Sequence, residues 1–444
     1  MPLGRTERSV APWIGFAAAV LLVVASAVAP RVFGWDVQAG QVPPLLAGFR
    51  PHVGPGTLPA LAIGVLVVVF GRRFAERSRW PLLLAVSFLT AAAWAVSLAT
   101  VDGLWGISRV FDNPSEYLLP ARRVTDVRAT LHGFIARIPI TSPHRWPVNV
   151  AGHPPGALLL FVLLTRIGID SGLATGVVAI LIASTTPVTV LLCVRRLGAE
   201  GAARRAAPFL AVGPSAVWIG VTGDAMFAAV AAWGLCCLVF AATAHRRRTL
   251  AIAAIGAGGL LGLSVFLSYG LVLLGIAAVA VLLVARSWRP LPIAVAAAVA
   301  VAAGFAVSGF AWWEAYPVLV QRYWAGVARL RPPLYWIWAN LALLAISAGP
   351  IVGAGVAAVL ARLRVVGGRS EERVVVLLTA AAAAMVMAAD LSGLSKSEVE
   401  RIWLPFIPWV LLGTALLPAR WRRFGLAAGI VTGLVVEHLL HTAW

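Results

Sequence analysis

VDGLWGISRVFDNPSEYLLPARRVTDVRATLHGFIARIPITSPHRWPVNVAGHPPGALLL, residues 101–160, is the polar island of a chain that otherwise alternates long apolar runs with short basic connections. It carries Asp102, Asp112, Glu116, Asp126, His132, His144 and His153 between two apolar blocks. Chemistry is expected to sit here, because the flanking runs offer so few groups that can take up or release a proton.

Those runs decide the class. Apolar residues make up 61% of the chain, charged residues 12%, and the mean hydropathy is +0.91. A soluble domain carries about twice that charged fraction. Crossing a hydrocarbon core of about 30 Å takes about 20 helical residues, and runs near that length recur from Pro12 almost to the C-terminus. Backbone groups in lipid must be hydrogen-bonded within the protein, so uniformly apolar runs of this length read as helices rather than barrel strands. The chain is therefore expected to be an all-α polytopic membrane protein.

The net charge of +19 would suggest a nucleic-acid partner in a soluble chain. Here the basic residues cluster in short connections such as RRFAERSR (72–79), RRLGAEGAARR (195–205), HRRR (245–248) and PARWRR (418–423), where they act as topology signals. Lys396 is the sole lysine, and this arginine bias hints at a high-GC bacterial source. Cys193, Cys236 and Cys237 lie inside apolar runs and form no metal or disulfide spacing. The first apolar run follows Arg5 and Arg8 like a signal peptide but lacks a convincing cleavage site, so it reads as a retained helix.

Placing basic connections in the cytoplasm puts the N-terminus inside and residues 102–152 outside. The same rule meets a conflict after His153. If HPPGALLLFVLLTRIG crossed fully, the following span would leave RRLGAEGAARR on the outer face. A half-membrane or surface-lying helix on the outer side resolves this. The count is then about thirteen transmembrane helices, with an outer half-helix and loop region after the third. Three regions follow: 1–80 as an N-terminal hairpin, 81–310 as a core that includes the outer loop 102–172, and 311–444 as C-terminal helices with two outer loops.

Acidic side chains at an outer boundary can act as a general base for an acceptor hydroxyl or hold a divalent cation, Mg or Mn. Asp102 directly follows its helix. Glu116 lies in FDNPSEYLL, where Asn113 and Pro114 favour a turn, and Asp126 follows in the same loop. In GHPPG, Pro155 suits the first position of a helix, with His153 just before it. His132, His144 and His153 match no closed metal spacing. The later outer loops supply Arg322, Arg329, Arg331, Lys396 and Arg401, for which a lipid-carrier phosphate is a natural partner. Trp312, Trp313, Tyr316, Tyr323, Trp324, Tyr335, Trp336 and Trp338 read most simply as an interfacial aromatic belt. Asp224 and Asp390 read as helix-end residues.

From His153 to Leu235 the pattern resembles the glycosyltransferase C superfamily, which includes protein O-mannosyltransferases and aminoarabinose transferases. HPPGALLLFVLLTRIGI resembles its H-P-P-L segment, and AVGPSAVWIG and GDAMFAAVAAWGL resemble its S-P and P-D-x-L landmarks. The resemblance implies a membrane enzyme that takes a sugar from a polyprenyl-phosphate carrier and transfers it, with inversion, to an acceptor on glycan, lipid or protein of the cell envelope. It also implies a catalytic carboxylate in the first outer loop, just after a helix, where Asp102 stands; Glu116 and Asp126 are the alternatives, because the adjacent acidic pair of the family is missing. His153, Arg322, Arg329, Arg331, Lys396 and Arg401 are the expected substrate-binding residues. The competing class is a transporter or flippase for a lipid-linked or anionic solute.

Overall fold

The computed structural model describes residues 5–363 and 370–442, with side chains from residue 10 onward. The middle of the basic stretch read at 362–373 therefore lies outside the described residues. Helix makes up 74% of the chain, and the fold is all-α and polytopic.

The helices used below are α1 (Arg5–Phe33), α2 (Thr57–Arg77), α3 (Trp80–Ala99), α4 (Pro155–Arg166), α5 (Gly172–Arg196), α6 (Glu200–Ala211), α7 (Gly223–Ala242), α8 (Arg247–Leu267), α9 (Leu274–Ala285), α10 (Leu291–Val307), α11 (Trp312–Ala325), α12 (Pro333–Ser347), α13 (Ile351–Leu360), α14 (Glu371–Leu391) and α15 (Ala419–Leu439). Two short strands, β1 (Ala47–Phe49) and β2 (Leu440–Thr442), pair antiparallel with Gly48 opposite His441. They tie the α1–α2 connection to the C-terminus.

Of the thirteen expected spans, seven are single helices long and apolar enough to cross a membrane among the described residues, or nine if each of two bent pairs counts as one. The bends are 73° between α10 and α11 and 109° between α12 and α13, the second at Gly349-Pro350. The remaining four are shorter or more polar. The run expected at 206–221 breaks at Gly213-Pro214 into α6 and the turn Ala216–Ile219. Those at 269–285 and 402–417 contain 3₁₀ turns, Tyr269–Leu273 and Leu412–Leu416, and α15 opens on Arg420, Arg422 and Arg423. Hydropathy registers apolar residues but not the carbonyls and prolines that interrupt a helix. The segment after His153 forms α4, twelve residues long; at about 1.5 Å per residue it is too short to cross the core.

Small residues let the helices approach closely. A Cβ on Gly15 of α1 would lie 2.2 Å from the Gly353 carbonyl of α13, and one on Gly258 of α8 would lie 2.0 Å from the Ala294 carbonyl of α10. Space rather than side-chain contact therefore fixes these two crossings.

The two ends of the bundle differ in chemistry. At one end, arginines bind the carbonyls that finish neighbouring helices: Arg204 Nη1 donates to Ala75 O (2.8 Å) and Ser78 O (2.9 Å), Arg373 Nη2 to Leu283 O (3.0 Å), and Arg205 pairs with Glu371 (3.2 Å). At the other end, the loop 103–152 folds together with the segments around 326–332 and 392–406. Arg322 fastens this roof by donating to the carbonyls of Ile138 and Trp146.

The aromatic residues divide. Trp313 and Trp324 are exposed, as belt residues should be, whereas Tyr335 and Trp336 are buried. Their polar atoms donate to Ser26 O (2.8 Å) and Val37 O (3.0 Å), so these two anchor α12 to α1 and its following loop.

Candidate active site

The polar island forms its site through local turns. Ser115 N donates to the Asn113 side chain (2.9 Å) and Glu116 N to Asn113 O (3.0 Å), an Asx-turn that turns Glu116 into the protein. Asn149, in the short helix Val148–Ala151, donates through Nδ2 to Glu116 Oε1. Its own carbonyl accepts from His153 Nδ1 at 2.8 Å. A carbonyl can only accept, so Nδ1 carries a proton and Nε2 is the nitrogen left to face Asp224, 3.6 Å from Oδ1. Pro155 then opens α4, as its fixed φ favours, and Gly156 admits the Phe266 carbonyl, which a Cβ would meet at 2.4 Å.

Asp224 is the second residue of α7, where the helix dipole favours a carboxylate. Its Oδ2 accepts from Arg401 Nη1 at 2.7 Å, and both side chains are only 7% exposed. Arg401 Nη2 also donates to Glu398 Oε2 at 2.6 Å and approaches Asn149 Oδ1 at 3.5 Å. The guanidinium thus joins α7, the loop 103–152 and the loop 392–406. Tyr117 walls the site, stacked on Phe161 (4.9 Å between centroids) and edge-on to His153 and Phe227.

The third loop reaches this position through unusual backbone. Ser397 and Glu398 both have positive φ, +70° and +63°, a region that costs a non-glycine residue about 1–3 kcal/mol. Asn340 of α12 holds them there: its Oδ1 accepts from Ser397 N (3.1 Å), and its Nδ2 donates to Ser395 O and Asp390 Oδ1, both at 2.7 Å. Lys396 lies beside them, donating through Nζ to Ala328 O and Arg331 O and sitting 4.5 Å from the Trp324 ring centroid. Arg331 stands 3.8 Å from Glu398.

Burial dominates the electrostatics outside the spans. It pushes the Glu116 carboxyl up to about 7, with Arg401 opposing and Asp224 reinforcing the shift. Arg401 loses charge stability through burial but regains more from Asp224, Glu398 and Glu116, so it stays a fixed cation. Lys396 is lowered by burial and by its neighbour Arg331.

The expected residues separate accordingly. Glu116, His153 and Arg401 meet in one buried cluster, with Arg331 and Lys396 beside it. Arg329 is exposed, and Arg322 serves the roof. Asp126 caps the helix Val127–His132, accepting from Ala129 N at 3.0 Å, and is exposed. Asp102 sits with His52 and Glu437. His132 and His144 are exposed and do not join His153. Sequence reasoning missed Asn149 and treated Asp224 as a helix end, whereas Glu398, which the sequence offers as an ion-pair partner for the loop arginines, does pair with Arg401 and stands beside Arg331. The GDAM landmark was the available signal for Asp224; nothing local marks Asn149.

Residues 152–313 match the family model described as dolichyl-phosphate-mannose-protein mannosyltransferase. This segment is thereby similar to membrane glycosyltransferases, and it includes His153 and Asp224 but neither Glu116 nor Arg401. No curated protein and no solved structure gives a significant match to the chain.

Proposed function

We propose that this chain is a bacterial membrane glycosyltransferase that moves a sugar, mannose in the first instance, from a polyprenyl-phosphate donor to an acceptor hydroxyl of a cell-envelope glycan, lipid or protein on the extracytoplasmic side. The observation that carries the proposal is the buried Glu116–Asn149–His153–Asp224–Arg401 cluster, two of whose five residues, His153 and Asp224, lie within the mannosyltransferase-like segment. The arginine-lined opposite end supports a cytoplasmic position for that end and an outer position for the cluster.

Glu116 is the general base of this reading. A carboxyl raised to about 7 holds a proton well enough to take one from a hydroxyl at neutral pH, whereas Asp224 is engaged by Arg401 and His153. The acceptor oxygen attacks the anomeric carbon as its proton passes to Glu116. The bond from that carbon to the phosphate oxygen breaks, and the polyprenyl phosphate departs with the electron pair toward Arg331, Lys396 and Arg401. Asp224 and Glu398 hold Arg401 in place for that charge. The mannosyltransferase match favours this class over a transporter or flippase.

Purified protein given a synthetic polyprenyl-phosphate mannose tests the reading directly. Release of polyprenyl phosphate coupled to acceptor glycosylation is expected. Accumulation of intact donor across a proteoliposome membrane, without cleavage, would establish the transporter class instead.

A further inference from the structure

A second group of titratable side chains lies outside the Glu116–Arg401 cluster. His52 comes from the α1–α2 connection, Asp102 from the turn Thr100–Asp102 that ends α3, and Glu437 from the last turn of α15. One ligand atom from each lies within 4.8 Å of the others. The chain termini of these segments are already joined by backbone: beyond the β1–β2 pair, Arg50 N donates to Leu439 O (2.9 Å) and His52 N to His438 O (2.8 Å). The ring of His52 is thus delivered on a rigid edge rather than on a loose loop.

The tautomer of His52 is the telling feature. Nδ1 lies 2.8 Å from Arg50 O, and because a carbonyl can only accept, Nδ1 carries the proton. Nε2 is buried and makes no hydrogen bond, yet it stands 3.4 Å from Asp102 Oδ1. In a neutral ring this places a nitrogen lone pair against carboxylate oxygens, which is unfavourable unless a proton or a metal ion lies between them; the second carboxylate, Glu437, within the same group favours the metal. A ring that donates its other N–H to a backbone carbonyl is the usual outer-shell arrangement of a metal-bound histidine. The His52–Asp102 separation of 3.4 Å agrees: two ligands about 2.0–2.1 Å from a tetrahedral zinc ion are about 3.4 Å apart, and Glu437 lies within 4.8 Å of both. One imidazole nitrogen and two carboxylates form a donor set that suits Zn2+, with water completing the coordination.

Arg109 faces Asp102 and Glu437, and Arg50 and His441 lie within electrostatic reach of the same group. The Arg109 and Arg50 guanidinium groups offset part of the carboxylate charge, and Arg109 is the rival that a metal must outcompete. It cannot ligate, so it leaves the Nε2 lone pair unanswered.

We propose that His52, Asp102 and Glu437 bind one Zn2+ ion, which staples the N-terminal hairpin, the end of α3 and the C-terminal helix together. The test uses the full chain in detergent, with any affinity tag removed and metal stripped by chelation. Calorimetric titration with Zn2+ is expected to show one equivalent per chain and a raised melting temperature, while His52→Ala and Glu437→Gln each weaken binding at least about tenfold, by the usual reach of losing one ligand or its support. Co2+ added to the wild-type chain is expected to give the visible absorption of a four-coordinate nitrogen–oxygen site, a readout that needs no variant to fold. Absence of both the single equivalent and the Co2+ bands overturns the site. So does binding that survives both substitutions unchanged.

Discussion

Arg401 and Asp224 lie 177 residues apart in sequence and 2.7 Å apart in the fold, Nη1 to Oδ2, with both side chains almost fully enclosed. Breaking a buried pair strands the surviving charge, at a cost of about 3–5 kcal/mol. Asp224→Asn and Arg401→Gln are each expected to lower the unfolding free energy by an amount of that order, and the double variant by less than the sum. A double-mutant cycle on thermal or denaturant unfolding reads the coupling, and strict additivity would deny that the pair forms.

Glu116→Gln keeps the shape of the side chain and the bond from Asn149 but removes the base. Transfer from polyprenyl-phosphate mannose is expected to fall by about 10²–10⁴-fold, with the melting temperature unchanged or raised. A variant that retains full turnover would remove Glu116 from the chemistry.

The position of Glu116 also sets a pH dependence. The base must be ionised to act, so kcat/KM is expected to rise with pH through a limb near 7, the value to which burial pushes this carboxyl. Stability has the opposite slope. Between its ordinary value of 4.5 and about 7, the folded state holds a proton that the unfolded chain has released, so unfolding becomes easier as pH rises through that window. Glu116→Gln should flatten this contribution, which paired pH titrations of unfolding would reveal.

Asp126 works as a helix cap in this structure. Asp126→Ala loses the bond from Ala129 N and is expected to cost about 1 kcal/mol of stability while leaving transfer close to wild type. A loss of turnover as large as that of Glu116→Gln, in a folded variant, would return Asp126 to the list of bases.

Asp102 sits with His52 and Glu437 and makes no described contact with Glu116, Asp224 or Arg401. Asp102→Asn is therefore expected to retain transfer within a few-fold and to lose thermal stability instead. The initial-rate assay used for Glu116→Gln distinguishes the two carboxylates, since a collapse of kcat with unchanged melting would favour Asp102 as the base.

The sequence by itself determined the class of fold. Apolar runs near the length of a bilayer and arginines gathered in the connections leave few alternatives to a polytopic helical protein, because an unsatisfied backbone cannot remain in lipid. It also marked the polar island, the Asn113-Pro114 turn that aims Glu116, and the helix start at Pro155, since each is a local consequence of a few residues. The number of continuous spans was less legible: the Gly213-Pro214 and Gly349-Pro350 breaks divide runs whose hydropathy reads as unbroken.

What only the tertiary structure decided was the membership of the site. Asp102, Glu116 and Asp126 share a loop region and look equivalent in sequence, yet one lies beside His52, one enters the buried cluster and one caps a helix. Arg401 acquires its meaning from Asp224, far away in the chain, and Glu398 from a left-handed turn held by Asn340 of another helix. The physical reason is that ionisation and pairing depend on what the fold brings within a few ångströms of a group after water has been excluded, and no local spacing encodes that neighbourhood.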